Sequence, residues 1–153
     1  MKVIKAPHST NNVTNTKVFL AGTIDMGKSV DWQEDLANRF EKYDVTFLNP
    51  RRTNWDSSWK QSITNPHFKQ QVQWESDNLE DADIIVMNLL PDSQSIISIG
   101  ELGEYGGKGK NMVVCCPEGF WRKGNVEFLC EKFSLPLFTD YDLMVNHLKN
   151  IIK

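Results

Sequence analysis

Apolar positions along this chain fall into two alternating patterns: short continuous runs, and longer stretches in which they recur every third or fourth residue. The continuous runs cover residues 17–21, 45–48, 83–90, 111–116 and 135–138 and predict five strands. Helical spacing covers residues 30–43, 67–81, the stretch after Ile97, 125–132 and 141–152, with Ser29 placed to cap the first helix. The run at 83–90 is apolar along most of its length, as in a central parallel strand covered on both faces. Strand and helix alternate almost throughout, so the fold expected is α/β, a single doubly wound domain on a five-stranded parallel sheet. In such a fold ligands bind beyond the carboxyl ends of the strands. The domain is expected to span residues 16–153, after a loosely ordered segment at 1–15. There is no internal repeat and no low-complexity tract.

Three connections leave those strand ends: residues 22–29, 49–66 and 91–97. The second carries Arg51, Arg52, Trp55 and Trp59, and a loop that long and aromatic in a compact domain is a functional candidate.

The pattern also places two carboxylates around the run at 83–90. Phe68, Val72 and Leu79 define the inward face of one helix, and Glu75 falls on it, three residues after Val72 and four before Leu79. Glu101 lies in Gly100-Glu101-Leu102-Gly103, expected in the first turn of the next helix, where free N–H groups and the helix dipole favour negative charge. The flanking glycines leave room for a close approach. Two carboxylates converging on one cleft are the equipment of glycosyl transfer, one as nucleophile and one handling protons. The plainer alternative is a first-turn glutamate and a solvated one at a helix edge.

A chain of 153 residues fits one domain. The formal net charge is −3 and Lys and Arg are scattered, so nothing marks a surface for nucleic acid or an anionic membrane. No apolar run reaches membrane-spanning length, the N-terminus has no apolar signal core, and Cys115, Cys116 and Cys130 lack metal-like spacing. A cytoplasmic protein with buried thiols and a small-molecule ligand is expected. His8, His67 and His147 stand apart and receive no role. No metal or organic cofactor is implied.

One motif points elsewhere. Residues 22–29, Gly-Thr-Ile-Asp-Met-Gly-Lys-Ser, satisfy the P-loop pattern between a predicted strand and a predicted helix. Against it, the acid of the strand at 83–90 sits at its wrong end for holding magnesium, with Asp92 as the only substitute. Asp25 would also place a negative charge in a phosphate cradle. A P-loop phosphotransferase and a non-catalytic nucleotide-binding module therefore stand as alternatives.

From Val18 to about Thr139 the chain resembles the nucleoside 2-deoxyribosyltransferases, in particular their smaller 2-deoxyribosyltransferase-like branch. The resemblance rests on Phe19-Leu20-Ala21-Gly22-Thr23-Ile24 with Asp31-Trp32-Gln33, on Asn49-Pro50-Arg51-Arg52, on Gln73-Trp74-Glu75, on Ala82-Asp83-Ile84-Ile85-Val86 and on Gly100-Glu101-Leu102-Gly103. It implies a Rossmann-like or flavodoxin-like domain in which Glu101 is the nucleophile and carries the sugar as an ester. Counting back from Asp83 as the family does, the resemblance makes Glu75 the second acid. It implies a substrate pocket that includes Gly22, Thr23, Ile24, Asp25, Ser95 and Gly100.

Several positions depart from the family. The second acid is usually aspartate, and a tyrosine that often orients the nucleophile is Phe19 here. Six residues before the nucleophile, relatives acting on free nucleosides tend to carry aspartate and relatives hydrolysing 5'-monophosphates carry serine; this chain has Ser95. The family's loop arginine is replaced by Asp25, while Lys28 or Arg51 could restore positive charge. The resemblance also implies a homodimer or higher homo-oligomer, with Asn125 completing a neighbour's site; alternatively Asn125 caps the helix it begins. Of the five tryptophans, Trp32 is expected to be structural, and Trp55 and Trp59 are the candidates for stacking on a base, with Phe47 and Met26 packing beneath.

Overall fold

The computed structural model describes residues 1–25 and 28–152; Met26, Gly27 and Lys153 lie outside the described residues. In chain order the elements are β1 (Lys2–Lys5), β2 (Thr16–Gly22), α1 (Trp32–Arg39), β3 (Val45–Asn49), α2 (Pro66–Asp81), β4 (Ile84–Asn88), α3 (Ile96–Gly107), β5 (Met112–Cys115), α4 (Lys123–Lys132), β6 (Leu137–Phe138) and α5 (Tyr141–Ile151). The strands form one parallel sheet in the order β1-β3-β2-β4-β5-β6.

Side-chain alternation along the strands splits the core into two layers. Phe19, Ala21, Leu48, Ile85 and Met87 face Trp74 and Leu79 of α2, Leu102 and Tyr105 of α3, and Val126 and Cys130 of α4. Val18, Leu20, Phe47, Val86 and Val113 face Leu36 of α1 and Met144, Val145 and Leu148 of α5. Each large apolar side chain buried this way contributes about 1.5–3 kcal/mol. The sheet is therefore covered on both faces.

The sheet has six strands rather than the expected five. The added strand, β1, lies in the segment that the sequence suggests is loosely ordered. It offers only Val3 and Ile4 between lysines, because an edge strand pairs on one side and buries little. The rest of that segment is tied onto α2: the Trp74 indole N–H donates to the His8 carbonyl at 2.8 Å and the Thr10 hydroxyl donates to Asn78 Oδ1 at 2.7 Å.

Helix α1 is shorter than the expected 30–43. Asp31 caps it, accepting from the Glu34 N–H at 3.1 Å, while the Ser29 hydroxyl donates to the Ile24 carbonyl at 2.9 Å. After Arg39 the chain tightens into a turn closed by Tyr43 N–H onto the Phe40 carbonyl, which delivers it to β3. Asn65 caps α2 by accepting from His67 and Phe68, with Pro66 in the first turn, where its missing N–H costs nothing.

The chain leaves β2 for β3 on one side and returns to β4 on the other. That reversal opens a crevice at the carboxyl ends of β2 and β4. Gly22 ends β2 there with φ of 116°, and a Cβ on it would fall 2.1 Å from the Asn88 carbonyl oxygen of β4. Only glycine allows the two strand ends to approach this closely.

Candidate active site

The crevice widens into a cleft of about 580 Å³, a volume suited to a nucleoside-sized molecule. β2 contributes Phe19, Ala21 and Gly22; α2 contributes Phe68, Gln71, Val72 and Glu75; the start of α3 contributes Ile96, Ile97, Ser98 and Glu101. The loops add Ile24, Asp25, Arg51, Arg52, Trp55 and Ser95. Glu75 and Glu101 therefore share one cleft.

Their surroundings differ. Glu75 Oε1 accepts a hydrogen bond of 2.8 Å from Gln71 Nε2, one helical turn back. Burial pushes the Glu75 carboxyl up, and the bond from Gln71 offsets part of that rise. Burial pushes Glu101 up further, to about 8, reinforced by the charges of Glu75 and Glu104. Among the described residues no side chain donates a hydrogen bond to the Glu101 carboxylate. Burial thus favours the protonated form at both carboxyls, opposed at Glu75 by the bond from Gln71 and reinforced at Glu101 by its acidic neighbours.

The first-turn expectation for Glu101 is corrected. α3 starts at Ile96, so Glu101 sits in its second turn, where backbone N–H groups are already used within the helix. Free amides do not stabilise its charge, in keeping with its raised pKa. Gly100 and Gly103 do leave open space, since a Cβ on either would meet nothing within 4 Å, but Gly100 is exposed and does not line the cleft.

Three hydroxyls close the crevice beneath the start of α3. Thr23 Oγ1 lies 2.7 Å from both Ser93 Oγ and Ser95 Oγ, and the two serine oxygens are 2.8 Å apart. Thr23 accepts from the Leu90 N–H at 3.0 Å and Ser93 donates to the Leu90 carbonyl at 2.9 Å, which fixes the cluster to the end of β4. Ser95 precedes α3 in a left-handed conformation with φ of 45°, caps nothing with its side chain, and presents its hydroxyl at the cleft wall. Thr23 is 1% exposed, so it holds Ser95 in place from below.

A model of the family described as "Nucleoside 2-deoxyribosyltransferase like" matches residues 15–120, from β2 through the turn before α4 and across both carboxylates. The chain belongs to that family. Among solved structures, "conserved protein from Enterococcus faecalis V583" is similar with a TM-score of 0.65 and 13% identity, over 90% of this chain and 99% of that one. At that identity the likeness is one of fold. No curated protein matches the chain.

On this nucleoside 2-deoxyribosyltransferase-like chain, Gly22, Ile24, Asp25, Ser95, Trp55, Glu75 and Glu101 line the cleft. Trp59 does not: it stacks on His67 at 4.7 Å, meets Trp55 edge-on at 5.2 Å and lies under the Arg52 guanidinium. It supports the loop behind Trp55. Trp32 is buried and donates to the Thr23 carbonyl at 2.9 Å, and Phe47 lies in the opposite core layer. Asn125 is exposed on α4, which begins at Lys123 after Arg122, so Asn125 is not its cap.

Arg51 reaches back onto the connection before α1, donating to the Ser29 carbonyl at 2.6 Å and pairing with Asp31 at 3.6 Å. Lys28 is exposed and does not line the cleft. Of the P-loop pattern, Met26 and Gly27 lie outside the described residues. Lys28 and Ser29 precede α1 instead of opening it, which is not where that motif needs them.

The sequence reading missed Gln71, Phe68, Val72 and Ser98 as lining residues and left Arg52 without a role. Gln71 was findable, because it lies four residues before Glu75 on the same stripe. Among the described residues no three His, Cys, Asp or Glu side chains converge as a metal site requires, and no helix is long and apolar enough to cross a membrane.

Proposed function

We propose that this protein breaks or transfers the N-glycosidic bond of a (deoxy)nucleoside or nucleoside 5'-monophosphate through an ester on Glu101. The observation that carries the reading is the pair of half-buried carboxylates in one cleft, one hydrogen-bonded and one raised to about 8.

The pair carries one proton, and the reactive arrangement places it on Glu75. As the bond from C1' to the base nitrogen breaks, its electron pair stays on the base, which takes the proton from Glu75, while ionised Glu101 bonds to C1'. Water or a second base then attacks C1', returns a proton to Glu75 and frees Glu101. Ser95, held by Thr23 and Ser93, serves the 5' end of the substrate; Asp25 on the same wall favours a neutral hydroxyl over a phosphate there.

The reading includes a second copy. Asn125 is exposed on α4 together with Phe128, and Trp121 is exposed just before that helix. Ile96 and Ile97 are exposed at the cleft. Pairing through these surfaces would cover apolar area and bring a neighbour's Asn125 to the cleft.

The test is chromatographic detection of free base from deoxynucleosides, ribonucleosides and their 5'-monophosphates, with and without an acceptor base. Release by the wild type that disappears in Glu101→Gln supports the reading; no release from any substrate rejects it.

A further inference from the structure

Among the described residues, three buried side-chain polar atoms have no hydrogen-bond partner: Arg52 Nη1, Trp55 Nε1 and Gln71 Oε1. All three residues line the cleft. Buried polar groups are normally paired, because an unpaired one costs about 1–3 kcal/mol. Three such atoms on residues of one wall leave two donors and one acceptor unmet beside the cleft.

Each of these atoms is fixed by what its residue already does. Gln71 is 4% exposed, and its Nε2 donates to the Pro50 carbonyl and to Glu75 Oε1, both at 2.8 Å. Both partners are acceptors, so the amide cannot be reversed, and Oε1 is left as an acceptor. Arg52 donates through Nε to Asn54 Oδ1 at 2.7 Å and through Nη2 to Gln70 Oε1 at 2.9 Å, and its guanidinium sits over the Trp59 ring. That leaves Nη1 as a cationic donor in a fixed plane. Trp55, packed edge-on against Trp59, offers an indole N–H, which can only donate.

We propose that Arg52, Trp55 and Gln71 select the base, favouring one with an imide edge, in which two carbonyl acceptors flank one N–H donor, as in 2,4-dioxopyrimidines and 2,6-dioxopurines. This rests on the glycosyl reading above and deepens it. The unpaired atoms number two donors and one acceptor, and an imide carries the complementary two acceptors and one donor in a single functional group. Amino bases also combine acceptors with a donor, so the guanidinium charge has to discriminate. As the bond to an imide base stretches, negative charge builds on its carbonyl oxygens ahead of the proton from Glu75, and a cationic donor stabilises it. An amino base instead leaves through a ring-protonated form whose positive charge Arg52 opposes.

Two readouts on the full chain test this. One is kcat/KM for base release from deoxyuridine, thymidine, deoxyadenosine, deoxycytidine and their 5'-monophosphates. The other is the thermal midpoint with free uracil or free adenine, which probes the wall without chemistry. Arg52→Met removes the charge, and Trp55→Phe removes the N–H while keeping a ring. The expected result is a preference of about tenfold or more for the imide bases, reduced about tenfold in Arg52→Met and less in Trp55→Phe, with uracil stabilising the wild type more than adenine does. If Arg52→Met is too unstable to assay, Trp55→Phe and the wild-type shifts decide. Equal turnover of both classes, or a preference unchanged in the variants, overturns the inference and leaves the glycosyl reading standing. Stabilisation by uracil with no base released keeps the base site and rejects the glycosyl reading. Neither release nor stabilisation rejects both.

Discussion

Gln71 and Glu75 stand one turn apart on α2, and the amide of the first donates to the carboxylate of the second at 2.8 Å while also holding the Pro50 carbonyl at the root of the cleft loop. One side chain thus sets both the acid strength of Glu75 and the start of the loop that carries Arg52 and Trp55. Replacing Gln71 with Leu removes a hydrogen bond to a charged group, of order 1.5–3 kcal/mol. Base release at neutral pH should fall about tenfold or more. The acid limb of its pH profile should also move upward, because Glu75 loses the contact that lowers its pKa. Rates measured across pH check both effects.

The one-proton pair predicts a bell-shaped dependence of kcat/KM on pH. On the alkaline side activity falls through about 8, as the last proton leaves the pair. On the acid side it falls as Glu75 takes up the second proton. A profile that stayed flat through pH 9 would argue against this division of roles.

Glu101 also affects stability. Its pKa in the fold is about 8 against an ordinary 4.5, so the folded state binds the proton more tightly than the unfolded chain does. That contribution is present at low pH and is lost as pH rises through the folded value. Glu101→Gln, which does not titrate, should therefore match the wild type near pH 4.5 and exceed it by roughly 1–3 kcal/mol at pH 8. Denaturant midpoints of both proteins at the two pH values test this.

The exposed apolar residues carry the prediction about assembly. Phe128, three residues after Asn125 on α4, is 64% exposed, and Trp121, just before that helix, is 49% exposed. Phe128→Glu should convert a dimer into a monomer in light scattering and lower base release, if a neighbour's Asn125 completes the cleft. A wild type that is already monomeric and active would remove Asn125 from the site.

Much of the architecture was legible in the sequence. Apolar runs located β2 to β6, and helical spacing located the helices, because strands covered on both faces and helices with one buried stripe leave strong patterns. β1 was not legible: Lys2-Val3-Ile4-Lys5 buries too little to stand out, and its pairing with β3 is a long-range fact. The position of Glu101 within α3 was misread because Ser95 turns the chain into the helix at Ile96, before the expected end of the loop at Ile97, and a left-handed serine without a capping bond has no sequence signature. Buried polar Gln71 and Asn78 were also missed. Their burial depends on what α2 packs against, namely the Pro50 carbonyl and Thr10, which local pattern does not report.

The central claim is a covalent sugar on Glu101, and the most direct measurement is peptide mass spectrometry of enzyme quenched during turnover of a substrate that releases its base. The account predicts a peptide containing Glu101 that is heavier by one glycosyl residue, lost on addition of acceptor base and absent in Glu101→Gln. Rapid base release with Glu101 unmodified at every time point, or modification at another residue, would contradict it.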